Sequence, residues 1–244
     1  MRLTKHVYLA GSGNLGLNLT NAYDCNIYLL DAGTSLVLID CGAGLEMEKL
    51  FQEIRRDGFD PADITHIVVT HAHADHAGGA AKLKAHTGAQ VLCLPQTASI
   101  LESGDEDAIH LPECRKVGMY PQDYRFHACA PVTAVHDRQQ LQIGNISLEI
   151  IHTPGHSSDM ISCYVAEWRA LFCSDLLFAG GRIAMQVSPQ FSLFALSQSI
   201  ARLTSYDVEL LFPGHLAPVL SEGGQLIHQV HETFKALKVP PNIV

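Results

Sequence analysis

Four short segments of this chain carry metal-ligating side chains, and each follows an apolar run that reads as a strand. The densest is Thr70-His71-Ala72-His73-Ala74-Asp75-His76, directly after Ile67-Val68-Val69. The others are Thr153-Pro154-Gly155-His156, Cys173-Ser174-Asp175 and Phe212-Pro213-Gly214-His215. A fold that uses all four must bring several strand ends together. The five imidazoles and two carboxylates they offer are enough to hold two divalent cations side by side.

The rest of the chain supplies such strands. Residues 7–10, 25–30 and 35–40 read as three, with Asp31-Ala32-Gly33-Thr34 as the turn of a hairpin. Met47, Leu50, Phe51 and Ile54 recur at helical spacing and predict a helix over 45–57 that stops at Gly58. A buried strand over 64–69, a short helix over 79–86 closed by Gly88 and a strand over 90–94 follow. Ile146, Leu148 and Ile150 alternate with polar residues in a strand that leads to Pro154. Residues 162–166 and 170–173 read as a hairpin, and helices over 192–203 and 223–236 flank a strand at 209–212. Hairpins and β-α-β order occur together, so an α/β (α+β) chain with two mixed sheets packed together and helices outside fits better than a purely parallel sheet.

With 244 residues and 47% apolar content, residues 1–244 fit a single domain with a sizeable core. The stretch 103–131 reads as irregular, an insert placed to cap a substrate. No apolar run approaches the roughly 20 residues of a membrane span. A formal charge of −9 and the lack of a basic stripe argue against nucleic-acid binding. Seven cysteines lack any C-x-x-C pair, and the N-terminus leads into no long apolar stretch. Both observations point to a reducing cytoplasm. Most of these thiols read as small buried hydrophobes. Cys173 could approach the cations, because strand alternation would point it the same way as Asp175.

In the densest run, His71 and His73 are two apart and can point to one side, while Asp75 and His76 curl to a second point. Ala72 and Ala74 keep the spacer small. In both Pro-Gly-His tripeptides the Pro ends the ladder, the Gly permits a tight turn and the His arrives at the strand end. A carboxylate can bridge two cations. The expected assignment is therefore His71, His73 and His156 on one cation, Asp75, His76 and His215 on the other, and Asp175 between them. Asp40, at a strand end, is placed to orient a ligand histidine. Any one of the 14 histidines could be an ordinary surface or core residue, and His228 and His231 read that way. Core packing does not explain four ligands in six residues.

Gly11-Ser12-Gly13-Asn14-Leu15-Gly16 matches the dinucleotide fingerprint G-x-G-x-x-G. That fingerprint needs a helix opening at the glycines. Here Asn18-Leu19-Thr20-Asn21 and another strand follow, so the segment reads as a mobile Gly-rich hairpin loop and no organic cofactor is expected.

His71-x-His73-x-Asp75-His76, then His156, Asp175 and His215 in order, together with Asn26-Ile27-Tyr28-Leu29-Leu30 leading to Leu38-Ile39-Asp40-Cys41-Gly42, resemble the metallo-β-lactamase-fold hydrolase superfamily. The resemblance extends over residues 5–236. It implies a four-layer αββα sandwich and a dinuclear site, most often zinc, with iron or manganese in some branches. Departures narrow the branch. True β-lactamases of this superfamily lack the bridging carboxylate that Asp175 supplies. Flavodiiron-type members have Glu at the position of His73. Acyl-homoserine-lactone lactonases have Tyr where this chain has Phe178. The helical glutathione-binding region of glyoxalase II is not evident in the sequence. Gly180-Gly181-Arg182 could contact an anionic substrate.

The expected activity is metal-dependent hydrolysis of a small ester, lactone or thioester by a hydroxide bridging two cations, with Asp75 moving the proton. Mononuclear-iron persulfide dioxygenase chemistry and phosphodiester cleavage are the alternatives. The expected partner is a small-molecule substrate, with no nucleic acid and no membrane, and homo-oligomers are open.

Overall fold

The computed structural model describes residues 1–243. The chain divides into two compact units, Met1–Val135 and a second that begins at His136. In the first, strands β1 (Val7–Gly11), β2 (Ile27–Asp31) and β3 (Leu36–Ile39) precede helix α1 (Met47–Arg56). Then come β4 (Ile64–Val68), α2 (Ala74–Ala77), α3 (Ala80–Thr87), β5 (Gln90–Cys93), α4 (Pro95–Ser103), α5 (Leu111–Lys116) and β6 (Thr133–Ala134). The sheet order is β1-β2-β3-β4-β5-β6. Its first two pairings are antiparallel and the next three parallel.

Connection length explains the switch. The hairpin between β2 and β3 is tight, and Asp31 Oδ1 accepts the Gly33 N–H at 2.9 Å within it. From β3 onward a helix intervenes, which permits a parallel return. The apolar face of α1 buries Leu50, Phe51 and Ile54 in one cluster with Leu29, Leu38 and Ile67 of the sheet. Each such side chain contributes about 1.5–3 kcal/mol on burial. The alternate residues Val7, Leu9, Leu30, Val37, Ile39 and Val68 are buried as well. These strands therefore read as near-continuous apolar runs.

The second unit holds β7 (Gln140–Ile143), β8 (Ile146–His152), β9 (Ile161–Val165), β10 (Ala170–Ser174), α6 (Leu193–Leu203), β11 (Leu210–Pro213) and α7 (Gly223–Lys235). Its sheet order is β11-β10-β9-β8-β7, antiparallel except for the β10–β11 pair, which α6 connects. Ser192 caps α6 by accepting the Ala195 N–H at 3.1 Å. Leu196 and Ile200 of α6 and Ile227 and Val230 of α7 share a core with Ile151, Leu171 and Leu211.

The stretch 103–131 is not wholly irregular, since α5 lies in it, and its Tyr124 and Phe126 are buried in the first unit's core. Six residues with Pro112 in the first turn carry too little periodicity to register as a helix. Others went unread for similar reasons: α4 buries only Thr97, Ala98 and Leu101, β6 is two exposed residues long, and β7 carries two glutamines. All seven cysteines are free. Among the described residues no helix is long and apolar enough to cross a membrane.

Candidate metal centre

In the first unit, parallel pairing of β3 and β4 brings their C-terminal ends side by side. That places Asp40, just past β3, next to Thr70, just past β4. Asp40 sits at φ 64°, a left-handed conformation that Asp tolerates better than most residues. Its Oδ1 accepts the Thr70 N–H at 2.8 Å, and its Oδ2 accepts the Thr70 hydroxyl at 2.9 Å and His76 Nδ1–H at 2.8 Å. Because the Thr70 hydroxyl donates to Asp40, its oxygen is left to accept from His71 Nδ1, 3.1 Å away. One carboxylate therefore sets the tautomer of two imidazoles, one directly and one through a hydroxyl. Both His71 and His76 are left with an Nε2 lone pair.

The single turn of α2 begins after His73, whose carbonyl accepts the N–H groups of His76 and Ala77 at 3.0 and 2.9 Å. His71 Nε2 faces His73 Nδ1 at 3.0 Å, and His76 Nε2 lies 3.5 Å from Asp75 Oδ2. His71 and His76 are buried, whereas His73 and Asp75 keep partial access. Cys25 joins Asp40 and His76 in a cluster whose donor atoms all lie within 4.8 Å of one another. Burial pushes the Cys25 thiol far above its ordinary value, so it packs there as a neutral group.

The second unit builds its part on the same topological device. Strands β8, β10 and β11 all run the same way, so His156, Asp175 and His215 leave the sheet at one edge. Asp175 Oδ2 lies 3.5 Å from His156 Nε2 and 3.3 Å from His215 Nε2. The turn before His156 is held by α6: Ser199 Oγ donates to Pro154 O at 2.7 Å and Ser192 N to Gly155 O at 2.8 Å. Gly155 has φ +153°, and a Cβ there would lie 2.4 Å from Leu196 Cα. His156 Nδ1 faces the Ala184 carbonyl at 3.4 Å, and Gln186 donates to the His156 carbonyl at 2.9 Å. A carbonyl only accepts, so Nδ1 carries the proton and Nε2 turns its lone pair to Asp175.

These donors fit a divalent cation. Tetrahedral ligands at the usual zinc distances stand roughly 3.4 Å apart, close to the spacings within each unit. Imidazole lone pairs directed at a carboxylate, or at each other, repel unless a proton or cation lies between them.

Cys173 does not belong to this set. The strand ends at Ser174, which has φ 49° and breaks the alternation. Cys173 then faces the core, its thiol directed at Leu177 O at 3.2 Å. Arg182 is exposed and donates to Asn242 O at 3.1 Å, which ties down the C-terminal segment. The Gly-rich segment 11–16 opens no helix. Gly13 N and Asn14 N pair with Asp24 O and Ala22 O in a doubled-back loop leading to β2, as the dinucleotide reading lacked. Thr70, Ala184 and Tyr124, whose hydroxyl donates to Ala43 O at 2.8 Å and reaches Ala74 O at 3.4 Å, are supports that the sequence did not single out. A threonine beside a ligand was a usable signal; a backbone carbonyl 28 residues from His156 gave none.

Solved structures with this architecture include a metallo-β-lactamase with a HARLDQ motif from Cronobacter sakazakii, with TM-score 0.72 and 22% identity over 97% of this chain and 96% of that one. The likeness establishes the metallo-β-lactamase fold. The model of the metallo-beta-lactamase superfamily matches residues 20–215, and the chain belongs to that superfamily. A hydroxyacylglutathione hydrolase from Rhodospirillum rubrum is 30% identical over 118 residues, which are 48% of this chain and 36% of that protein. An atrochrysone carboxyl ACP thioesterase from Aspergillus fumigatus is 24% identical over 195 residues, 80% of this chain and 51% of that protein. The chain spans about half the length of several of the curated relatives it matches.

Proposed function

We propose that this protein is a metal-dependent hydrolase that cleaves a small ester, lactone or thioester. The observation that carries the reading is the Asp175 carboxylate, one oxygen of which lies 3.5 and 3.3 Å from two imidazole nitrogens. That is the disposition of a shared ligand. In this reading His71, His73 and His156 hold one divalent cation, Asp75, His76 and His215 hold a second, and Asp175 serves both. Zinc is the first choice, with iron or manganese as other candidates. Of the relatives above, one is named a thioesterase and the other a hydrolase of hydroxyacylglutathione, which favours the thioester among the three bonds.

Bound cations of this kind supply a lowered pKa for water and a polarised carbonyl. The chain's own residues do the rest. Asp75, partly exposed beside His76, would take a proton at its carboxylate and return it to the departing thiol or alcohol. Asp40 and Thr70 keep His71 and His76 in the tautomer that leaves Nε2 open. The partner is a small molecule, and the compartment is a reducing one.

The test is a substrate screen of thioesters, lactones, esters and phosphodiesters on protein of measured metal content. The expected result is thioester turnover that falls by about two orders of magnitude or more in Asp75→Asn. Oxygen uptake on a persulfide with a single iron bound, and no hydrolysis, would replace this reading with an oxidoreductase.

A further inference from the structure

The first unit contains a cavity of about 350 Å³ that the hydrolytic reading does not use. Its lining includes Ala43, Gly44 and Gly78, and a Cβ on Gly78 would lie 2.2 Å from Tyr124 Oη. It also includes Lys82, Arg125 and His127, with Asp123 as the one carboxylate. This concentration of positive charge stands out in a chain of net charge −9.

The state of the two permanent cations makes the cavity a candidate site. Lys49, Arg55, Arg56, Arg115 and Lys116 of this unit are each paired with a glutamate. Lys82 and Arg125 instead donate to carbonyls, Lys82 Nζ to Gly44 O at 2.7 Å and Arg125 Nη1 to Tyr124 O at 2.8 Å and Gln122 O at 3.1 Å; Arg2 and Lys84 also donate to carbonyls, but neither lines the cavity. Lys82 and Arg125 are both exposed, and their bonds orient the two heads without neutralising them. An ammonium has three donors and a guanidinium five, so each retains donors for a ligand. Glu106, which lies in the field of Arg125, is already bonded to Arg115 and to Phe126 N. Two oriented cations of different shape around a cavity of this size suit a dianion with several acceptor oxygens.

We propose that this cavity binds a small phosphate-bearing molecule, with Lys82 and Arg125 as its cationic contacts. None of the seven candidate metal ligands lines it. Binding there is therefore separable from the metals, and the proposal stands or falls independently of the hydrolytic reading.

Calorimetric titration of the metal-loaded protein with inorganic phosphate, glycerol 3-phosphate and adenosine 5′-phosphate tests it, repeated after chelation. The expected result is saturable binding that survives chelation, weakens with salt and drops about tenfold or more in both Lys82→Gln and Arg125→Gln. Asp123→Asn, which removes the competing carboxylate, is expected to tighten binding about two- to threefold. An organic phosphate binding more tightly than inorganic phosphate would identify a carried group as the natural ligand, and the reverse order would identify the free anion. Loss of all binding on chelation would assign the phosphate to the metals and overturn the proposal. Equal binding by wild type and all three variants, or no binding by any of the three probes, would also overturn it.

Discussion

Asp40 accepts the ring N–H of His76 at 2.8 Å, and neither residue reaches solvent. The same carboxylate accepts the Thr70 hydroxyl, which faces His71. Two candidate ligands from one loop therefore depend on one residue of the neighbouring strand. An amide in place of that carboxylate would turn an N–H₂ toward a donor. Asp40→Asn is expected to weaken metal binding about 10–100-fold, as read by competition with a chromophoric chelator. Thr70→Val, which cuts only the branch to His71, is expected to have the smaller effect. Unchanged affinity in Asp40→Asn would remove the relay from the account.

Gly155 combines a φ of +153° with contact on the α6 backbone at Leu196. Gly155→Ala is expected to destabilise the protein by about 1–3 kcal/mol and to weaken metal binding, because His156 is the next residue. Gly180 offers the control: its φ is +76°, but nothing lies within 4 Å of a Cβ there. Gly180→Ala is expected to cost about 1 kcal/mol and to leave metal affinity unchanged. Urea unfolding and chelator competition on both variants separate backbone strain from displacement of the ligand turn.

Tyr124 ties the 103–131 stretch to the loop after β3 by its hydroxyl. Tyr124→Phe keeps the buried ring and loses the bond to Ala43 O. The expected cost is about 0.5–1.5 kcal/mol in urea unfolding. A neutral result would mean that packing alone holds the stretch.

Asp24 accepts Thr20 Oγ1 at 2.6 Å, Asn21 N at 3.0 Å and Ala43 N at 2.8 Å. Burial nevertheless holds its carboxyl above the ordinary carboxylate value, the hydrogen bonds opposing the rise. A folded-state pKa above the unfolded one means that the native state binds the proton more tightly. The corresponding stability is complete below about pH 4 and is lost as pH rises through the folded value. The unfolding free energy of wild type minus that of Asp24→Asn is therefore expected to fall as pH rises above about 4. A difference that grows with pH would reverse the sign.

What could be read from the sequence follows from where the physics is local. The strands of both sheets other than β6 and β7, together with α1, α3, α6 and α7, announced themselves through apolar periodicity and the glycines that close some of them. All seven candidate ligands stood out because polar residues at the ends of apolar strands have no packing reason to be there. The role of Asp40 was legible for the same reason. The device behind the ligand cluster of each unit was not: parallel pairing of β3 with β4, and of β10 with β11, decides which strand ends meet, and register is a long-range property. Cys173 is a buried core residue, as most of the cysteines read, and the option that it approached the cations failed because alternation does not extend past the strand, where Ser174 turns left-handed. Helix α5 was missed because its six residues bury only Leu111.

In the proposed function seven side chains hold a pair of cations on which hydrolysis depends. Elemental analysis of the purified protein, before and after chelation and paired with thioester turnover, decides the point. The expected result is about two divalent cations per chain, loss of turnover on chelation, its return with zinc, and loss of at least one cation in Asp175→Ala. A wild-type chain that retains no metal, or that keeps full turnover after the metal has gone, would contradict it.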